Sequence, residues 1–144
     1  LNKDNNTEIN ELKVQEILGY IAFKHPDIFW KFATQALEDI KNIKLKQVIE
    51  LNSNSGLTIE ELSFLCDMSI STFKRHFASI YGVSPQKYFT QLRMEQAKSL
   101  LFLQKRPSEI YFELGYENLS AFSNEFKKHF GISPKQFQKK NERL

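Results

Sequence analysis

Apolar residues recur along most of this chain at spacings of three and four, the pattern of helices that bury one face. Val14, Ile17, Leu18 and Ile21 share such a face, and the spacing predicts a helix from about Thr7 to Lys24 that Pro26 stops. Asp27 is placed to cap a second helix, which carries a broad stripe of Ile28, Phe29, Phe32, Ala33, Ala36, Leu37 and Ile40. An antiparallel hairpin with the first helix would cover part of that stripe, and Phe29, Trp30 and Phe32 also suit a partner chain or another domain. Lys41 to Lys44 is polar and basic and reads as a hinge before a third helix at about 43–51. The run Asn52-Ser53-Asn54-Ser55-Gly56 ends that helix in a turn.

Beyond this turn the pattern repeats. Phe73-x3-Phe77-x4-Gly82-x-Ser84-Pro85-x2-Tyr88 returns 49 residues later as Phe122-x3-Phe126-x4-Gly131-x-Ser133-Pro134-x2-Phe137, with every interval kept. A short apolar helix and a tight turn precede each copy, so each predicts one helix-turn-helix. In the first, Thr58 caps a helix bearing Ile59, Leu62 and Leu65 and running through Cys66. Asp67-Met68-Ser69 makes the turn, Ser69 caps a helix at 70–81, and Gly82 closes it in the left-handed conformation. Ser84-Pro85 opens a long helix to about Gln104, roughly 30 Å in length. Tyr88, Leu92, Ala97, Leu100 and Leu101 give that helix its inward face. Ser108 is the expected cap of a helix ending near Gly115, Asn118 caps 119–130, and Ser133-Pro134 opens a last basic helix. No stretch alternates like a strand. The fold expected is all-α: a helical hairpin over residues 1–41, then over 42–144 two helix-turn-helix units joined by a long linker helix.

The wheel of each second helix separates two chemistries. Ile70, Phe73, Phe77 and Ile80 face inward, while Ser71, Arg75, Ala78 and Ser79 face outward with Thr72 and Lys74 beside them. Small residues let such a helix approach the DNA major groove, and arginine donates two bonds to guanine O6 and N7. In the second copy Phe122, Phe126 and Phe130 face inward, and Ser120, Asn124, Lys127 and Lys128 face outward. The repeat sets Ser71 over Ser120 and Arg75 over Asn124, and asparagine is the usual bidentate partner of adenine. A linker approaching one DNA turn, about 34 Å, would hold the two helices in successive major grooves of double-stranded DNA. Thr58, Thr72, Lys87, Ser108, Lys127, Lys128 and Lys135 are the candidate phosphate contacts, with Lys139 and Lys140 behind them.

Bulk composition narrows the alternatives. With 144 residues and 41% hydrophobic content the chain supports one domain, or one and a fragment, and excludes a large multidomain enzyme. Residues 1–56 carry 7 Lys/Arg against 8 Asp/Glu and the rest 13 against 9, so the basic surplus lies with the repeat. Cys66 has no cysteine partner and falls on an apolar helix face, which fits a buried thiol in a reducing, cytoplasmic setting. No apolar run reaches the roughly 18 residues of a membrane span. His25, His76 and His129 are scattered singly, and neither a Gly-rich phosphate loop nor an HExxH pair occurs. No enzyme activity, cofactor or metal is therefore expected. The rival to DNA binding is an all-helical protein-interaction module without specific duplex affinity.

Residues of about 43 to 141 resemble the DNA-binding domain of AraC/XylS-type bacterial transcription regulators. The resemblance rests on Glu109-Ile110, Gly115-Tyr116, Ser120, Phe122, Phe126-Lys127, Gly131, Ser133-Pro134 and Phe137 in the second unit. The first contributes Leu62, Ser69, Phe73, Arg75, Phe77, Gly82, Tyr88 and Arg93. The likeness implies seven helices acting at promoters, usually to recruit or position RNA polymerase, and more often as an activator. It places base reading on Ser71, Lys74 and Arg75 and on Leu119, Ser120 and Asn124. Leu119 offers no hydrogen bond, so the second unit is expected to give affinity more than discrimination. Tyr111 stands where the family commonly has alanine, which predicts a looser helix crossing or an outward ring, and Gln138 replaces a frequent arginine. In such regulators an upstream domain senses a signal or dimerises. Residues 1–41 read as its last two helices, with homodimerisation through this region left open.

Overall fold

The computed structural model describes residues 3–141, with side chains placed from residue 9. The described residues form α1 (Lys3–Lys24), α2 (Pro26–Asn52), α3 (Ile59–Leu65), α4 (Ile70–Tyr81), α5 (Pro85–Phe102), α6 (Pro107–Glu113), α7 (Leu119–Phe130) and α8 (Pro134–Asn141), and no strand. They divide into two compact units, one up to Lys46 and the other from Gln47 onward.

In the first unit the expected hairpin does not form. His25 alone separates α1 from α2, and helical bonding runs up to it and on from it: His25 N–H donates to the Ile21 carbonyl at 2.8 Å and Phe29 N–H to the His25 carbonyl at 3.0 Å. Pro26 sits at a first helical position, where its missing N–H costs little, and no residues are left over to turn the chain back. The apolar stripe that a hairpin would have covered is exposed, Ile17, Ile28, Phe32, Leu37 and Ile40 included. The sequence pattern predicts a break at Lys41 to Lys44, but α2 is helical through these residues, and the boundary between the two units falls just beyond them, at Lys46/Gln47. That stretch holds neither glycine nor proline, and the apolar spacing carries on to Leu45 and Ile49, one turn apart and both buried.

The second unit contains the repeat. Its helix starts are set by capping side chains: the Ser69 hydroxyl accepts from Thr72 N–H at 3.3 Å, and Asn118 Oδ1 from Ala121 N–H at 2.8 Å. Thr58 and Glu61 cap α3 reciprocally, and the two Thr58 donors hold the Glu61 carboxyl below its ordinary pKa. Gly82 and Gly131 end the two second helices at φ 71° and 78°, where a side chain would be strained. Two boundaries differ from expectation. Ser108 does not cap α6; proline favours the first helical position, so Pro107 takes it, Arg106 becomes the cap, and Glu109 Oε2 accepts from Arg106 N–H at 2.9 Å. The long helix stops at Phe102, short of Gln104, whose φ of 62° is incompatible with a helix.

Each half of α5 serves a different core. Near its start Tyr88 and Phe89 pack on Phe77, which also meets Phe73 and Tyr81. Further along, Met94, Ala97 and Leu101 close over Ile110, Leu114, Phe122 and Phe126. The linker therefore cannot tilt without disturbing both cores. Gln138, which stands in place of the frequent arginine, donates from Nε2 to the Lys105 carbonyl at 2.7 Å and ties α8 to the turn after α5.

The repeat is not uniform along its length. From the caps onward the copies are 49 positions apart, but Leu62 and Ile110, Cys66 and Leu114, and Asp67 and Gly115 are 48 apart. The members of each pair match: two buried apolar residues, a buried thiol and a buried leucine, and two left-handed turn residues at φ 53° and 76°. The second turn thus holds one residue more before its cap. The same register pairs Tyr111 with the buried Ser63, and the Tyr111 ring is half-buried against the second core rather than turned fully outward.

Candidate nucleic-acid interface

On α4, Phe73 and Phe77 are buried to 0% exposure, and His76 joins them. Ser71, Lys74, Arg75, Ala78 and Ser79 are exposed, as the wheel requires. Ile70, expected inward, is 39% exposed, since its place in the first turn leaves it at the edge of the packed face. Thr72 is half-buried, and its hydroxyl accepts from Ser69 Oγ at 3.0 Å. Ser71 Oγ lies 3.1 Å from the same cap, so a short hydroxyl cluster marks the helix start. No ion pair of Arg75 occurs among the described residues, leaving its guanidinium free to meet an acceptor from outside.

On α7, Phe122 and Phe126 are buried and Phe130 is half-buried. Ser120, Asn124, Lys127 and Lys128 are exposed. Leu119 lies apart from that row, half-buried against the second core, which leaves only part of it for any apolar contact. The two second helices therefore share construction: a side-chain cap, two buried phenylalanines one turn apart, a polar outward row and a terminal glycine. Of the remaining phosphate candidates, Thr58, Lys87, Ser108 and Lys135 are exposed, and the Thr58 hydroxyl is already engaged by Glu61 Oε2 at 2.9 Å.

A groove of about 640 Å³ lies between the start of α5 and the second half of α7. Lys87, Thr90 and Arg93 line it from α5, and Glu125, Lys128 and His129 from α7. Arg93 donates to Thr90 Oγ1 at 3.3 Å and is hydrogen-bonded to Tyr116, whose phenol burial pushes up in pKa against the pull of that arginine. In the sequence Arg93 stands out only as a position of the family resemblance, and neither His129 nor Tyr116 is marked for this place. The i, i+4, i+7 spacing of Gln86, Thr90 and Arg93 was the available signal for one wall. Among the described residues no His, Cys, Asp and Glu cluster able to hold a metal ion occurs, and no helix is long and apolar enough to cross a membrane.

The profile of the family described as "Helix-turn-helix domain" matches residues 62–140. The chain is 26% identical over 129 residues to the virulence regulon transcriptional activator VirF of Yersinia enterocolitica, covering 89% of this chain and 48% of that protein. It spans about half the length of the first curated relatives it matches. Among solved structures, the C-terminal domain of the two-component response regulator yesN from Fusobacterium nucleatum is 32% identical, with a TM-score of 0.59. That match covers 69% of this chain and 98% of the other. The DNA-binding domain of AdpA, solved in complex with a target DNA, has a TM-score of 0.65 at 24% identity, covering 69% and 94%.

Proposed function

The chain belongs to the AraC-type helix-turn-helix family, and we propose on that premise that it binds double-stranded DNA sequence-specifically as part of a transcription regulator. The observation that carries this reading is the pair of identically built second helices, each with a buried phenylalanine pair behind an exposed polar row. In this reading Ser71, Lys74 and Arg75 contact bases from α4, and Ser120 and Asn124 from α7, with Leu119 adding apolar contact. Lys87, Lys127, Lys128 and Lys135 hold phosphates, and Thr58, Thr72 and Ser108 add polar contacts to the backbone. The complex of AdpA with a target DNA supports the mode of binding, and the activator role printed for VirF supports activation; RNA polymerase is the protein partner that the family resemblance implies.

Family membership, rather than the lack of a catalytic cluster, sets an enzymatic role aside. Residues 1–41 are assigned to the end of a regulatory or dimerisation region, and 42–144 to the DNA-binding domain. The exposed apolar stripe of α1 and α2 supports a second copy of the chain as its cover.

Arg75→Ala tests the base-reading assignment. It is expected to cost about 1 to 3 kcal/mol on the preferred duplex and to relax preference at one base pair. Lys127→Ala is expected to weaken all duplexes alike. Binding titrations on a preferred and a scrambled duplex separate the two, and equal losses on both duplexes for Arg75→Ala would remove Arg75 from the reading set.

A further inference from the structure

The groove between α5 and α7 is positively charged. Lys87, Arg93 and Lys128 face a single carboxylate there, Glu125, with His129 beside it. None of the three cations forms a salt bridge among the described residues. Arg93 is half-buried, and its bonds to Thr90 and Tyr116 hold the guanidinium in place while its remaining N–H groups stay available. A planar guanidinium so fixed, flanked by two exposed ammonium groups, suits a phosphate oxygen pair better than a carboxamide or an apolar group.

The groove also lies in a particular place on the chain. One wall is the start of α5, immediately after the first recognition helix, and the other is the second recognition helix itself. Lys128 belongs both to this groove and to the outward row of Asn124 and Lys127. At 18 residues α5 is about 27 Å long, shorter than the roughly 34 Å between successive major grooves. A duplex read by both helices in successive major grooves carries the sugar-phosphate backbone that separates those grooves past the span between them.

We propose that this groove binds one backbone phosphate of the DNA segment between the two major-groove contacts, held by Lys87, Arg93 and Lys128 together. The inference rests on the DNA-binding reading and adds to it a single convergent site, in which Arg93 joins two lysines otherwise read as separate contacts.

The test uses duplexes in which single phosphates between the two contacted segments are replaced one at a time by neutral methylphosphonate. The unaltered protein is expected to lose roughly tenfold in affinity at one or two adjacent positions, the equivalent of one charged hydrogen bond. The double variant Lys87→Gln/Lys128→Gln is expected to bind every duplex more weakly, with a shallower salt dependence. It should lose distinctly less than the unaltered protein at those positions, where Arg93 alone remains to feel the change, but as much at phosphates elsewhere. Both lysines are exposed, so its melting temperature should stay unchanged. Equal losses in both proteins at the central positions, or no sensitive central phosphate in either, overturn the groove assignment while leaving sequence-specific binding intact. Failure of the unaltered protein to prefer any duplex would instead overturn the DNA reading and the groove with it.

Discussion

Phe126→Ala is expected to destabilise the second unit by about 3 to 5 kcal/mol, enough to bring a small domain near its folding threshold. Phe126 is 0% exposed and sits among three other rings, Phe122 at 5.9 Å, Phe130 at 4.6 Å and Phe137 at 5.7 Å between centroids. Removing its ring leaves a void that α5, α7 and α8 cannot all close, because Met94, Ala97 and Leu101 already fill the opposite side. Phe112→Ala is the control: that ring is 78% exposed, and its loss should change stability by no more than about 0.5 kcal/mol. Chemical denaturation of both variants measures the contrast. Similar midpoints for the two would show that the second core is not organised around Phe126.

Affinity for a preferred duplex is expected to fall about a thousandfold between about 50 and about 200 mM salt. The figure follows from roughly six neutralised phosphates, which give a slope of log K against log salt near −5. Lys87, Arg93, Lys127, Lys128 and Lys135 supply most of those contacts in the proposed complex. An all-helical protein-interaction module would show no preferred duplex for which to measure such a slope. Fluorescence anisotropy over a salt series reads the slope directly, and a value near zero would remove phosphate contacts as the main source of affinity.

The parts of the fold legible in the sequence are those governed by neighbours along the chain. The bounds of α4 and α7 follow from local chemistry: Ser69 and Asn118 start them, Gly82 and Gly131 end them, and the phenylalanines fix their buried faces. The outward rows of Ser71 and Arg75 and of Ser120 and Asn124 follow from the same periodicity. What the pattern misses is decided by partners distant in sequence or by competition between caps. The stripe on α2 announces a face in need of cover but not what covers it, so the hairpin was only one of its solutions. Ser108 is a good cap residue, yet Pro107 one position earlier has a stronger claim on the first helical turn. Leu119 faces the core by one residue's rotation from the outward row. The groove was out of reach because its two walls, Lys87 to Arg93 and Glu125 to His129, meet only through the packing of α5 on the second core.

Sequence-specific binding by this chain requires both recognition helices to read the same duplex from one rigid frame. Selecting bound duplexes from a random pool and aligning the survivors tests this most directly. Two short preferred segments with centres about 10 base pairs apart, one per helix and the one under α7 the weaker, are the predicted result. A single preferred segment, with flanking sequence free to vary at that spacing, would contradict it.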